Sequence, residues 1–204
     1  VEPARFVIDT PDKENAMLFA RVDLPANLSD ADMPALITAD WIIGGSDGLS
    51  NRIVNRLRQK EGLSYGSGSN ITLPSFGNRA KWSVGAIVAP QNLAQAEKSL
   101  KDELARAYRD GITEAELAEA KRGIIGSRAV NRAQDGMVAS NWVNNLETGR
   151  TWQFSKETEA AIEALTVEDV NKALRRFCDV SKLTFALAGD LAKAKAAGKD
   201  FTQP

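Results

Sequence analysis

The segment from Arg79 to Ala89 alternates between apolar residues and residues of other kinds. Its apolar positions are Ala80, Trp82, Val84, Ala86 and Val88. A period of two predicts a β-strand that turns one face toward a core. The preceding segment "SYGSGSNITL" joins it through "PSFGN", whose residues are typical of a turn, so the two segments predict a β-hairpin.

The rest of the chain supplies further strands and several helices. "ARFVIDT", "AMLFARVDL" and "KLTFALAGD" have strand patterns. Helical spacing occurs in "MPALITADWIIGG", along a stripe of Leu49, Ile53 and Leu57, and from Leu93 to a stop at Gly111. A capping-box pattern, "TEAE", begins the next helix, and two more helical segments follow, the last near 166–177.

This order of elements predicts an α+β fold with two layers, in which helices pack on one face of a mostly antiparallel sheet. Regular alternation of strand and helix, as in a parallel sheet, is absent from the sequence. The length suits one domain, which we expect to occupy 1–190, followed by a loosely ordered tail over 191–204 with solvated lysines.

The sequence contains no histidine, and this limits its chemistry. Catalytic zinc sites usually contain histidine ligands, and the common Ser-His-Asp and Cys-His nucleophile systems also need one. The one cysteine, Cys178, suits a small buried apolar residue near a helix end. We therefore predict no metal site on this chain, and any catalysis must use groups supplied from elsewhere.

Charge and hydropathy exclude some partners. Lys and Arg number 26 against 27 Asp and Glu, so the net charge of -1 provides no overall cationic field for nucleic acid. No window approaches the apolar length of a membrane span, and the N-terminus lacks the order of a signal peptide. Because Val1 stands where a start methionine would, we expect a processed protein or a fragment of a longer one.

The stretch "NRIVNRLRQKEGLSYGSGSN", residues 51–70, is the candidate functional segment. An amphipathic helix ends near Gly62, and Tyr65 then precedes a strand of very small residues. Gly66 and Gly68 fit either an irregular edge strand or a place where a ligand or another backbone approaches closely. The helix places Arg52, Arg56 and Gln59 toward water, and its arginines suit a solvated face better than a polyanion site.

Arg58 and Tyr65 lie on either side of this reversal. A guanidinium and a phenol that point into one space suit an oxygen acceptor such as a peptide carbonyl or a developing oxyanion. The alternative is structural: Arg58 pairs with a local carboxylate and Tyr65 is half-buried framework. "GGSDG", residues 44–48, lacks the lysine and hydroxyl residue of a phosphate-binding loop, and we interpret it as a helix-helix connection.

The segment "GGSDGLSNRIVNRLRQKEGLSYGSGS" resembles a signature of the C-terminal half of pitrilysin/insulinase-type zinc peptidases, a group that includes mitochondrial processing peptidase. The matching residues are Ile53, Leu57 and Arg58 of an "LxxxLR" pattern, followed by Gly62, Leu63 and Tyr65 of "GLxY". The order of elements is similar from about Ala4 to Asp190.

The resemblance implies a domain that is inactive alone. In the family the zinc is held by an HxxEH motif and a distal glutamate on an N-terminal half of related fold, so zinc would be bound by a partner half, fused or separate. The C-terminal half closes over that half around a peptide. The resemblance implies that Arg58 and Tyr65 reach the substrate near the zinc, and that Gly66, Ser67 and Gly68 line the chamber.

Two other functions remain open from the sequence. The family also contains non-catalytic members that act as scaffold or substrate-recognition subunits, and an unrelated ligand-binding α+β domain would share much of the element order. The resemblance favours a bacterial periplasmic protein, and the sequence leaves the peptide preference open.

Overall fold

A five-stranded mixed sheet forms one layer of the protein. The computed structural model describes residues 2–45 and 50–198. Its strands are β1 (Arg5–Asp9), β2 (Ala16–Leu24), β3 (Ser64–Thr72), β4 (Ala80–Val88) and β5 (Thr184–Gly189). They lie in the order β1-β5-β2-β4-β3, and only the β1-β5 pair is parallel. The edges of the sheet are therefore β1 and β3.

The described residues form eight α-helices, two of which continue as π-helical turns. They are α1 (Met33–Asp40, continued by Trp41–Gly45), α2 (Arg52–Val54, continued by Asn55–Lys60), α3 (Leu93–Asp110), α4 (Glu114–Arg132), α5 (Asp135–Thr148), α6 (Trp152–Ala164), α7 (Val167–Phe177) and α8 (Leu191–Ala196). Gly111, at φ 75°, ends α3, and a reciprocal capping box between Thr113 and Glu116 begins α4.

The core lies between one face of the sheet and the helices. The alternation of β4 places Trp82 on this inner face, where its ring is 4.8 Å from that of Phe177 on α7. Leu18 of β2 and Leu100 of α3 are fully buried beside it. Burial of such large apolar side chains is the main stabilising term of a layered fold.

The other face of the sheet is open among the described residues. Phe6 and Ile8 of β1 and Met17 and Phe19 of β2 are 41–55% exposed, although each sits in a strand. The helices thus cover one face only, as the sequence predicted, and the α+β class with a mostly antiparallel sheet is confirmed.

The structure differs from the sequence prediction in three details. The helical segments around 41–45 and 55–60 are π-helical turns, and three helices rather than two lie between α4 and β5. Arg52 is not solvated, because its guanidinium pairs with Glu116 of α4. Leu49 and 46–48 of the predicted helix-helix connection lie outside the described residues.

The first part of the predicted tail contains structure. Asp190 caps α8 by accepting a hydrogen bond from the N–H of Lys193, and the Lys193 ammonium pairs with Glu14 at 2.7 Å. Residues 199–204 lie outside the described part. The division of the chain at residue 190 stays a prediction.

Candidate functional site

The candidate segment turns from a helix into the edge strand β3 at Gly62. This glycine has a φ of 61°, a left-handed value that other residues rarely adopt. The N–H of Leu63 donates to the carbonyl of Leu57 at 2.8 Å, which closes the last turn of the helix. Because Leu57 is fully buried in the core, the reversal is fixed relative to the sheet.

Tyr65 occupies a β-bulge at the start of β3. Ser64 pairs with Val88 and Gly66 pairs with Ile87, so Tyr65 is the extra residue without a partner across the ladder. The Ser64 hydroxyl donates to the Ile87 carbonyl at 2.7 Å and accepts from the N–H of Gly66 at 3.2 Å, which fixes the bulge. Tyr65 is 65% exposed, so its phenol is accessible.

Arg58 is also exposed, two residues before the helix ends at Lys60. Among the described residues its guanidinium makes no hydrogen bond or ion pair, and it does not stack on the Tyr65 ring. The structure therefore brings the two groups to the same reversal with both exposed, but it does not bring them into contact. No local carboxylate pairs with Arg58 in the described part of the chain, as the structural alternative would require.

The neighbouring arginines have structural partners. The Arg52 Nε lies 2.6 Å from Glu116, and its Nη2 donates to the Gly111 carbonyl at 2.8 Å, so α2 is joined to the start of α4. Arg56 pairs with Glu61 at 2.5 Å. The spacing of the arginines along the helix could not separate these two from Arg58, because their partners are supplied by other parts of the fold.

A shallow groove of about 320 Å³ runs along the sheet beside β3. Its lining includes Gly66, Ser67 and Gly68, together with Met17 and Phe19 of β2. Three of the predicted site residues therefore share one concave surface with apolar side chains of the open sheet face. The Ser67 hydroxyl is buried and has no hydrogen-bond partner among the described residues.

The small residues of β3 have different surroundings. A Cβ atom on Gly66 would meet nothing within 4 Å. A Cβ atom on Gly68 would lie 2.9 Å from the carbonyl oxygen of Gly44, which is closer than real Cβ contacts. Gly68 is therefore required by the packing of the α1 extension on β3, whereas the space at Gly66 is open to a ligand.

Asp40 anchors β3 and was not predicted from the sequence. Its Oδ1 accepts from the Ser69 hydroxyl at 2.6 Å and from the Trp82 indole N–H at 2.7 Å, and its Oδ2 accepts from the Ile71 N–H at 3.1 Å. Burial raises the pKa of this carboxyl, and the three hydrogen bonds oppose that rise. The available signal was a lone carboxylate within the apolar run "ITADWIIGG".

The residues of this chain do not fit a zinc site. Among the residues that the structure describes, no three His, Cys, Asp or Glu side chains are grouped closely enough to hold a metal ion. Cys178 is fully buried at the end of α7, and burial raises the pKa of its thiol, which disfavours the thiolate that zinc binds. Within the same residues no helix is long and apolar enough to cross a membrane.

Comparison with sequence profiles shows the family to which this domain belongs. A sequence profile described as the peptidase M16 inactive domain matches residues 1–124, which is more than half of the chain. The chain belongs to this family, the inactive-domain family of pitrilysin-type zinc proteases, and the resemblance noted from the sequence is confirmed. Comparison with curated proteins gives no significant match.

Solved structures have the same fold. The peptidase M16 inactive domain from Pseudomonas fluorescens superimposes with a TM-score of 0.81 at 23% identity, over 92% of this chain and 44% of that one. A protease from Helicobacter pylori gives 0.80 at 18% identity, again over 92% and 44%. The chain thus spans a little under half the length of these two relatives.

An isolated domain is also similar. The inactive peptidase domain of a protein described as a zinc protease, from Bordetella parapertussis, gives a TM-score of 0.70 at 19% identity and is covered over 91% of its length. At these identities the likeness concerns the fold, and the family itself rests on the profile match.

Proposed function

We propose that this chain is the non-zinc half of a zinc-dependent peptidase that closes over a half carrying the HxxEH motif. In this function the chain binds the peptide substrate and stabilises the transition state of peptide-bond hydrolysis. The zinc, which would polarise the scissile carbonyl and activate water, belongs to the other half. Membership of the inactive-domain family and the absence of a metal site among the described residues support this division of roles.

One observation carries the proposal: Arg58 and Tyr65 are exposed at one reversal without side-chain partners in the described part of the chain. A structural arginine is normally paired, as Arg52 and Arg56 are. Holding a long cationic side chain free at the start of an edge strand suits recognition of an oxygen acceptor.

The phenol and the guanidinium would act on successive oxygens of the peptide. The Tyr65 hydroxyl would donate a hydrogen bond to the scissile carbonyl oxygen as that oxygen gains negative charge. Arg58 would donate a hydrogen bond to a neighbouring substrate carbonyl and orient the phenol. The bulge leaves Tyr65 without a partner across the ladder, and its side chain is exposed. The glycine at position 66 leaves room for the peptide backbone beside the strand.

Replacement of the two groups in the assembled enzyme tests this role. We expect Tyr65→Phe and Arg58→Ala to lower kcat by about a hundredfold to a thousandfold, because each removes a donor that acts in the transition state. Exposed positions contribute little to folding, so the free energy of unfolding should change by less than about 0.5 kcal/mol.

The chain offers matched controls for both variants. Tyr108 is the only other tyrosine and lies on α3, and Arg109 is an exposed arginine of the same helix. Tyr108→Phe and Arg109→Ala should leave kcat unchanged. Wild-type rates for Tyr65→Phe and Arg58→Ala would instead favour a scaffold or substrate-recognition subunit of the same family.

A further inference from the structure

A second concave surface lies between α4, α5 and α6, next to the β3-β4 turn. It encloses about 430 Å³. Its lining is rich in primary amides and aromatic rings, and we name it the asparagine groove after Asn131, Asn141, Asn144 and Asn145, with Trp152 and Phe154 as its aromatic members.

Helix α5 contributes little to the core. None of its residues is buried, and it packs mainly on α4. Asparagine is a poor helix former because its side chain competes for backbone hydrogen bonds, yet α5 contains three of the four groove asparagines. Folding alone does not account for these residues, which points to a role in binding.

The four amides are available to a ligand. Within the described part of the chain, the side chains of Asn131, Asn141, Asn144 and Asn145 make no hydrogen bond, although three of them are half-buried. Each amide offers one acceptor and two donor hydrogens. Groups of this kind can pair with both the N–H and the C=O groups of an extended polypeptide.

The aromatic side of the groove is held rigid by its neighbours. The rings of Trp142 and Trp152 stack with centroids 6.0 Å apart. The Arg150 guanidinium lies 4.5 Å from the centroid of the Phe154 ring and donates to the Ser29 hydroxyl at 3.1 Å. A fixed aromatic platform suits an apolar side chain at low entropic cost.

The charges around the groove are unbalanced. Arg128 and Arg132 both pair with Glu159 of α6, and Arg150 has no carboxylate partner among the described residues. The lining of the groove therefore contains three arginines and no carboxylate of its own. The excess positive charge favours a ligand that carries an acidic group.

We propose that the asparagine groove binds an extended peptide segment that carries an acidic residue. The asparagine amides bond to the peptide backbone, Trp152 and Phe154 receive an apolar side chain, and Arg150 attracts the acidic residue. This inference rests on the proposed function, since the ligand is a distal part of the same substrate peptide.

The position of the groove sets the length of that peptide. Ser75 of the β3-β4 turn lines the groove, whereas Tyr65 lies at the opposite end of β3. The strand from Tyr65 to Thr72 covers roughly 25 Å at the usual rise per residue. A peptide extended along β3 therefore reaches the groove about eight residues from the scissile bond, and shorter peptides do not occupy both sites.

Binding is measured on the 204-residue chain alone by NMR, through the side-chain amide resonances of asparagine. The probe is an acetylated and amidated peptide of about twelve residues, made of serine, glycine and leucine with one central glutamate. We expect the groove amides to shift and the double variant Asn141→Ala/Asn145→Ala to bind about tenfold more weakly. Asn15→Ala, an exposed amide outside the groove, should bind as the wild type does.

A second variant separates binding from any loss of folding. Arg150→Gln should weaken binding of the glutamate peptide by about tenfold and leave binding of the matching glutamine peptide unchanged. Unshifted groove amides at saturating peptide, or equal affinity of the double variant, would overturn the proposal. Shifts produced by chitohexaose and not by the peptide would overturn it too, in favour of a carbohydrate site.

Kinetic measurements on the assembled enzyme with substrates of two lengths distinguish this inference from the proposed function. The double asparagine variant should lower kcat/KM about tenfold for substrates of about twelve residues and leave that of hexapeptides unchanged. Tyr65→Phe should lower kcat for both lengths and leave peptide binding by the isolated chain intact. Equal losses for both lengths in the groove variant would contradict a distal binding site.

Discussion

At the scale of single residues, two glycines of β3 have different structural roles. Gly68 is confined by the Gly44 carbonyl, and Gly66 borders open space. The sequence pattern left open whether these glycines mark an irregular edge strand or a close approach by another group, and it could not tell that at Gly68 a group of the same chain lies close. The contact joins residues 24 positions apart, 44 and 68, and such contacts leave no periodic signal.

Substitution of the two glycines should therefore give opposite results. Gly68→Ala forces the Cβ atom against a backbone carbonyl and should lower the free energy of unfolding by about 1–3 kcal/mol. Gly66→Ala should change it by less than about 0.5 kcal/mol, yet lower kcat/KM of the assembled enzyme by roughly tenfold to a hundredfold through displacement of the substrate. Chemical denaturation and steady-state kinetics measure the two effects. A stable Gly66→Ala enzyme with full activity would remove Gly66 from the substrate surface.

At the scale of elements, the periodicity of the sequence predicted the regular strands and helices. It did not predict the features that depend on tertiary contacts. The strands and α3 were predicted because alternation and i, i+4 spacing reflect burial on one face. The π-helical turn at Trp41–Gly45 was not predicted from the sequence. It places Gly44 against Ser69, which belongs to a strand that is distant in sequence. The ion pair between Arg52 of α2 and Glu116 of α4 likewise depends on the tertiary structure and could not be predicted from the sequence.

The ion pair between Arg52 and Glu116 predicts a pH-dependent contribution to the free energy of unfolding. Burial alone would raise the pKa of Glu116, but hydrogen bonds from Arg52 and from the Thr113 N–H and hydroxyl lower it overall. A carboxyl whose pKa is lower in the folded state stabilises the protein above its unfolded pKa of about 4.3, and that contribution is lost as the pH falls through the lower folded pKa.

Glu116→Gln keeps the size of the side chain and removes its charge. We expect it to lower the free energy of unfolding by about 1–2 kcal/mol at pH 7, with a difference from the wild type that shrinks as the pH falls below about 4. Glu114→Gln, an exposed change in the same helical turn, is the control and should have little effect. Urea denaturation across this pH range measures both, and an equal deficit at every pH would show that the ion pair is not the cause.

At the scale of the whole molecule, the described residues cover one face of the sheet with helices and leave the other face apolar and open. The open face includes Phe6, Ile8, Met17 and Phe19, whose exposed fractions reach 55%. A contiguous apolar surface of this kind marks an interaction site in soluble proteins. The order of strands and helices predicted the layered fold. It could not predict which side chains of the open face become neighbours, since that depends on strand order and register.

The open face, the exposed Arg58 and Tyr65, and the lack of a metal-binding cluster among the residues that the structure describes support the proposal that this domain works with a second half. The chain also spans a little under half the length of two of its structural relatives, at 44% of each. The fold alone does not require a peptidase, because one fold serves many functions. The dependence of activity on both halves is therefore the point to measure.

The most direct measurement compares cleavage of a fluorogenic peptide by an HxxEH half alone, by this chain alone, and by the two together as a fused or mixed pair. We expect cleavage only from the pair, abolished by a zinc chelator and reduced about a hundredfold by Tyr65→Phe. A zinc-bearing half that cleaves equally well without this chain, or a correctly folded pair that cleaves nothing, would contradict the proposed function.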